Sequence, residues 1–133
     1  MAAIAIAFTQ QTGAQASWNL VFSQFTSQDY PRQWLPEAKF DRSVTGAVVL
    51  DGPQYRQKYL WTIDCIVTKT EAEQLHALYE AWDSDRAQGY SVAVGIADNT
   101  FAGTVNSSAV FSSPPSFTFL HGNTIVNFAL TEV

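Results

Sequence analysis

The chain has 133 residues, 12 acidic and 7 basic, for a formal net charge of −5 and a pI near 4.7. That balance excludes the clustered Lys and Arg by which proteins neutralise phosphates, so sequence-specific binding of nucleic acid is not expected. Charged residues make up 14% of the chain, against roughly 25% in ordinary soluble domains; part of the surface is therefore expected either to be buried against other subunits or to be clothed in Ser, Thr, Gln and Asn.

A chain of this length forms one hydrophobic core without metals or disulfides, so a single domain over residues 1–133 is predicted. Cys65 is the lone cysteine and lies in the alternating run Trp61, Ile63, Cys65, Val67, a core face. Residues 2–8 are apolar but lack a basic flank and are too short to span a bilayer. They predict a first strand, and no membrane partner and cytoplasmic synthesis are expected.

Residues 10–17 are polar and suit a loop, after which Trp18, Leu20 and Phe22 alternate with Asn19, Val21 and Ser23 as a short strand. Residues 23–37 contain Pro31 and Pro36 and predict a long irregular connection. Loops of that length usually serve function or contact a partner, and Phe25, Tyr30 and Trp34 would supply contact area.

Residues 43–50 are β-branched and small, and Asp51-Gly52-Pro53 supplies a turn before a second extended arm over 54–67, predicting a long β-hairpin. Tyr55, Tyr59, Trp61, Ile63, Cys65 and Val67 occupy one face of that arm and Arg56, Lys58, Thr62 and Asp64 the other. About fourteen residues at roughly 3.3 Å each span about 45 Å, so the polar tip is expected to project.

Thr70 precedes Glu73 by the spacing of a capping box, and Leu75, Leu78, Tyr79 and Trp82 form an apolar stripe, predicting one α-helix over about 70–87 that ends before Gly89. Asp83 and Asp85 near its C-terminal end oppose the helix dipole. Tyr90, Val92, Val94 and Ile96 read as a strand, the segment 109–111 as another short one, and residues 116–133 as a hairpin turning at His121-Gly122-Asn123. The fold class predicted is mainly β (α+β), an antiparallel β-sandwich or barrel with a long β-hairpin and one flanking helix.

No pattern points to catalysis, a cofactor or a metal. His76 flanks the helix stripe, His121 occupies a turn, and Cys65 sits on the apolar face, so none is expected to act as base or nucleophile. Asp83, Asp85 and Asp98 lack the spacing of a calcium loop and read as solvated carboxylates. Trp18, Trp61 and Trp82 read as core, which leaves Trp34, Tyr30 and Tyr55 as rings able to stack on a sugar.

The aromatic arm Tyr59-Leu60-Trp61-Thr62-Ile63, the helix opening Thr70-Glu71-Ala72-Glu73-Gln74-Leu75, and Gly89 before a strand together resemble small bacteriophage tail proteins of the minor tail, baseplate, distal-tail or tail-tube type. The resemblance covers about residues 44–98 and rests on structural residues. It implies a β-sandwich protomer assembled with other copies of itself into a ring, often of six, around the DNA channel, with other tail or baseplate proteins as partners and the virion as location. Acidic charge suits a lumen through which DNA slides. The implied subunit-interface residues are Tyr30, Trp34, Tyr55, Arg56 and Lys58. The expected function is thus a non-enzymatic structural subunit of the tube end or baseplate; the alternative is a soluble carbohydrate-binding β-sandwich module.

Overall fold

The computed structural model describes residues 2–13, 15–27, 29–35, 39–42, 44–51 and 58–133. In chain order the elements are β1 (Ile4–Thr9), β2 (Ser17–Phe22), β3 (Arg32–Trp34), β4 (Lys39–Arg42), β5 (Val48–Asp51), β6 (Tyr59–Thr68), α1 (Lys69–Ala87), β7 (Val94–Asp98), β8 (Val105–Leu120) and β9 (Asn123–Glu132). The mainly β class with a single helix is as predicted. Seven strands form one antiparallel sheet in the order β2-β1-β7-β8-β9-β6-β3, and β4 and β5 form a separate two-stranded ribbon.

Period-two alternation places Ile4, Ile6 and Phe8 of β1, Trp61, Ile63, Cys65 and Val67 of β6, and Val126, Phe128 and Leu130 of β9 in one buried core. The sheet curls around it. Phe22 of β2 and Phe128 of β9 are four strand spacings apart in the sheet, about 19 Å if it were flat, yet their ring centroids are 5.4 Å apart. The curl stops short of a closed barrel. Beyond β2, Phe25 forms a single bridge to Cys65, with Thr26 N donating to Asp64 O at 2.8 Å and Ile66 N to Gln24 O at 2.9 Å.

Helix α1 covers the core with Ala72, Leu75, Leu78, Ala81 and Trp82 buried, each large side chain contributing about 1.5–3 kcal/mol. Tyr79 and Trp82 meet the Phe111 ring edge-on, each at 5.1 Å. The capping box lies two residues earlier than predicted. Thr68 leaves the strand with extended dihedrals, its Oγ1 accepts from Glu71 N at 3.2 Å, and Glu71 Oε1 accepts from Thr68 N at 3.3 Å. Both Thr68 and Thr70 have a Glu three residues on; β6 runs to Thr68, so the first residue able to turn becomes the cap. No helix among the described residues is long and apolar enough to cross a membrane.

The predicted pairing of 43–50 with 54–67 is replaced by others. β5 pairs with β4 through a turn in which Gly46 has φ +87°. β6 already has β9 along one side and β3 on the other, so both its edges are taken. The predicted turn and the first residues of the second arm, 52–57, lie outside the described residues, as do Tyr55 and Arg56. Within the loop predicted over 23–37 the three residues of β3 form a strand.

The short strand predicted at 109–111 is the interior of β8, which continues through Pro114 and Pro115. β7 pairs with β8 only over Val105–Asp98 to Ala109–Val94, so beyond Ala109 one side of β8 has no strand among the described residues to receive an N–H, and proline is tolerated. The ladder to β9 shifts register on both sides of Ser113. At the hairpin end His121 and Gly122 have φ of 41° and 89°, the two positive values that a two-residue hairpin turn demands.

Asp85 is not a solvated helix end. It is fully buried and accepts from Gln11 N at 2.8 Å and Thr12 Oγ1 at 2.6 Å, tying the β1–β2 loop to the end of α1. The Gln11 amide, then the Thr12 hydroxyl, hold its carboxyl below the usual range despite burial. A carboxylate with a lowered folded-state pKa stabilises above the unfolded value, near 3.9, and that contribution is lost as pH falls through the folded value. Asp85→Asn is therefore expected to melt earlier than the parent at pH 7, with the difference narrowing below about pH 4; thermal melts at stepped pH check this.

Candidate functional site

At the end of the sheet remote from α1, where β6 begins and β7 and β9 finish, aromatic side chains from four segments converge. β3 is antiparallel to β6, with Arg32 opposite Trp61 and Trp34 opposite Tyr59. Cross-strand partners share a face, which brings these four side chains together. Pro31 O accepts from Thr62 N at 3.0 Å and Lys58 O accepts from Leu35 N at 2.7 Å, fixing β3 at both ends. Trp34 stacks on Tyr59 at 6.2 Å, and Tyr59 leans on Trp61 at 5.8 Å.

The opposite wall comes from the β7–β8 loop. Asp98 accepts at Oδ1 from Thr100 N at 2.7 Å and from the Thr100 hydroxyl, and Ala102 and Gly103 take φ of 57° and 82°. A left-handed alanine costs on the order of 1 kcal/mol; the turn so made carries Phe101 onto Tyr30, with stacked rings 4.3 Å apart. Tyr30, Arg32, Gln33, Trp34, Tyr59 and Phe101 thereby line a cleft of about 220 Å³. Tyr30 and Phe101 are each 52% exposed and Trp34 63%, so all three side chains reach solvent. An adjoining hollow of about 440 Å³ is lined by Ser27, Asp29, Pro31, Thr62 and Asp64 and shares Tyr30 and Gln33 with the cleft, so carboxylates and hydroxyls stand there beside apolar surface.

Beneath the aromatics lies a buried polar layer. Asp98 is fully buried and accepts at Oδ2 from Trp61 Nε1 at 2.9 Å, with Arg32 Nε at 3.6 Å. The Arg32 guanidinium also sits over the Tyr59 ring, 5.2 Å from its centroid. Its side chain is 4% exposed, and Nη1 is buried with no hydrogen-bond partner. Glu132, from the end of β9, accepts from Tyr59 N at 2.9 Å and from Ser107 Oγ at 2.6 Å.

Of the predicted interface residues the structure brings Tyr30 and Trp34 into this one cleft. Lys58 stands at the entry to β6, its carbonyl accepting from Leu35 N beside β3, and the residues before it, Tyr55 and Arg56 included, lie outside the described residues. Arg32, Phe101 and Asp98 complete the site and were not predicted as its members. An Arg and a Trp two apart after Pro31 is the available signal for the β3 face; nothing local marks Phe101.

The other chemical candidates stay apart. His76 faces Glu80 at 3.3 Å on the outside of α1 and leans on Phe117, while His121 is in the β8–β9 turn. Burial, and then the neighbouring Asp64 charge, push the Cys65 thiol up to about 12, so it is protonated at neutral pH and a poor nucleophile. Asp83 pairs with Arg86 at 2.7 Å. Among the described residues no three His, Cys, Asp or Glu side chains group as a metal site. What the cleft offers is recognition: exposed rings, a guanidinium and, in the adjoining hollow, the carboxylates and hydroxyls of Ser27, Asp29, Thr62 and Asp64. No protein-family model matches the chain, and no curated protein sequence matches it significantly.

Proposed function

We propose that the protein is a non-enzymatic structural subunit of a bacteriophage tail, at the tube end or baseplate, working by assembly with copies of itself and with other tail proteins. The observation that carries this reading is the β4–β5 ribbon, which pairs with no other strand among the described residues. A two-stranded ribbon is marginal in water by itself, and its unpaired edges invite a strand from a neighbour. Edge-to-edge joining between copies closes into a ring when the rotation permits. The low charge fraction and the resemblance of the arm, helix and strand to phage tail proteins support the same reading.

Light scattering of the pure full chain across a wide concentration range, with negative-stain microscopy of the fractions, tests it. Self-association into closed particles is expected, together with its loss when residues 39–51 are replaced by a Gly-Ser linker. A chain that stays monomeric throughout overturns ring assembly. The exposed aromatic side chains Tyr30, Trp34 and Phe101 favour a second reading, a carbohydrate-binding module, because exposed rings stack on sugar faces while neighbouring polar groups take the hydroxyls.

A further inference from the structure

The Arg32 guanidinium is nine-tenths buried and its donors are not satisfied: Nε is 3.6 Å from Asp98, beyond hydrogen-bond reach, and Nη1 has no acceptor. Buried donors are nearly always paired, and a guanidinium is suited to a planar anion. Arg32 lines the aromatic cleft and, among the described residues, is the one cationic side chain that lines either the cleft or the adjoining hollow. On a protein of net charge −5, an anion gains nothing from the overall field and must be recognised locally.

We propose that the cleft binds a carboxylated sugar ring, with its carboxylate on Arg32, its ring face on Trp34, and a neutral, hydroxyl-rich neighbouring sugar in the hollow of Ser27, Asp29, Thr62 and Asp64. This deepens the carbohydrate-binding reading and rests on it. The division of the two hollows favours a saccharide over an acidic peptide. One hollow pairs stacking faces with a single cation, and the other presents carboxylates and hydroxyls that accept from sugar O–H groups but repel further acidic residues. Nη1 lies below the surface, so contact with it requires a shift of side chains that line the cleft.

The test is an amide-resolved NMR titration of the full chain with methyl β-D-glucuronide, the corresponding uncharged glucuronamide, methyl β-D-glucoside and a short acidic peptide. Shifts at the amides of Tyr30, Gln33 and Phe101 are expected with the glucuronide, with the glucuronamide and glucoside at least about tenfold weaker. Trp34→Ala removes an exposed ring outside the core and is expected to weaken the glucuronide about tenfold while leaving the remaining amides in place. Arg32→Lys, where folded, should retain part of the preference for the acid. Equal binding of the glucuronide and glucuronamide overturns the role of Arg32 while leaving sugar binding intact. Absence of binding by every sugar overturns both. Binding of the peptide alone overturns both as well and makes the cleft a protein-docking surface.

Discussion

Asp98→Ala is expected to be the most damaging single polar substitution in the protein, lowering unfolding stability by about 3–5 kcal/mol. The carboxylate is fully buried and serves three groups: it accepts from Trp61 Nε1 and from Thr100, and it faces Arg32. Removing it strands a buried indole N–H, at a cost of about 1–3 kcal/mol, and leaves a guanidinium that is 4% exposed without its counter-ion. The second effect dominates, because desolvating an unpaired charge costs several kcal/mol. Two further variants separate the contributions. Asp98→Asn keeps an acceptor for Trp61 but loses the charge, and should fall between the parent and Asp98→Ala. Arg32→Met combined with Asp98→Leu removes both charges and should recover about 2 kcal/mol relative to Asp98→Ala. Urea midpoints with an unchanged m-value report these differences. A loss under about 1 kcal/mol for Asp98→Ala would mean that Arg32 is compensated by another group.

The same pair shows where sequence reading reached its limit. Alternation in β1, β6 and β9, the helix stripe through Leu75, Leu78 and Trp82, and the His121-Gly122 turn are local patterns, and each element forms as predicted. Tyr30 and Trp34 stood out because large rings in a proline-bearing loop need somewhere to go. The remainder of the cleft is non-local. Asp98 resembles a solvated carboxylate until the curl of the sheet brings β7 opposite β3, and Arg32 resembles a loop cation until Trp61 is known to be its cross-strand neighbour. β3 is shorter than any window in which a period of two can be recognised. Local pattern pairs β5 with β6, the longer and better-patterned strand, but the edges of β6 are occupied by β9 and β3. Asp85 differs from its expected exposure for a related reason. Its place in the last turn argues for exposure, while the Gln11 amide and Thr12 hydroxyl that hold it belong to a loop at the other end of the chain.

Phe128→Ala is expected to cost about 3–5 kcal/mol and to loosen the curl itself. Phe128 is fully buried; its ring meets Phe22 edge-on at 5.4 Å and Phe111 at 5.8 Å, so one side chain joins β9 to β2 across the core and to its neighbour β8. The seam between the chain beyond β2 and β6 has few backbone hydrogen bonds, those of Thr26 N to Asp64 O and Ile66 N to Gln24 O among them, each contributing about 0.5–1.5 kcal/mol net. Loss of the ring therefore outweighs the seam, and the seam should open with it. Hydrogen exchange at the Thr26 and Ile66 amides is expected to accelerate more in Phe128→Ala than at the amides of the β8–β9 ladder. Phe119→Ala, which truncates a largely exposed ring on β8, should stay within about 0.5 kcal/mol of the parent and leave those amides unchanged. If Phe128→Ala destabilises the whole chain uniformly, the seam hydrogen bonds rather than the aromatic packing hold β2 against β6. Selective opening at Thr26 and Ile66 would show that the curl, and with it the placement of β3 and the cleft along the same edge of β6, depends on rings packed across the interior.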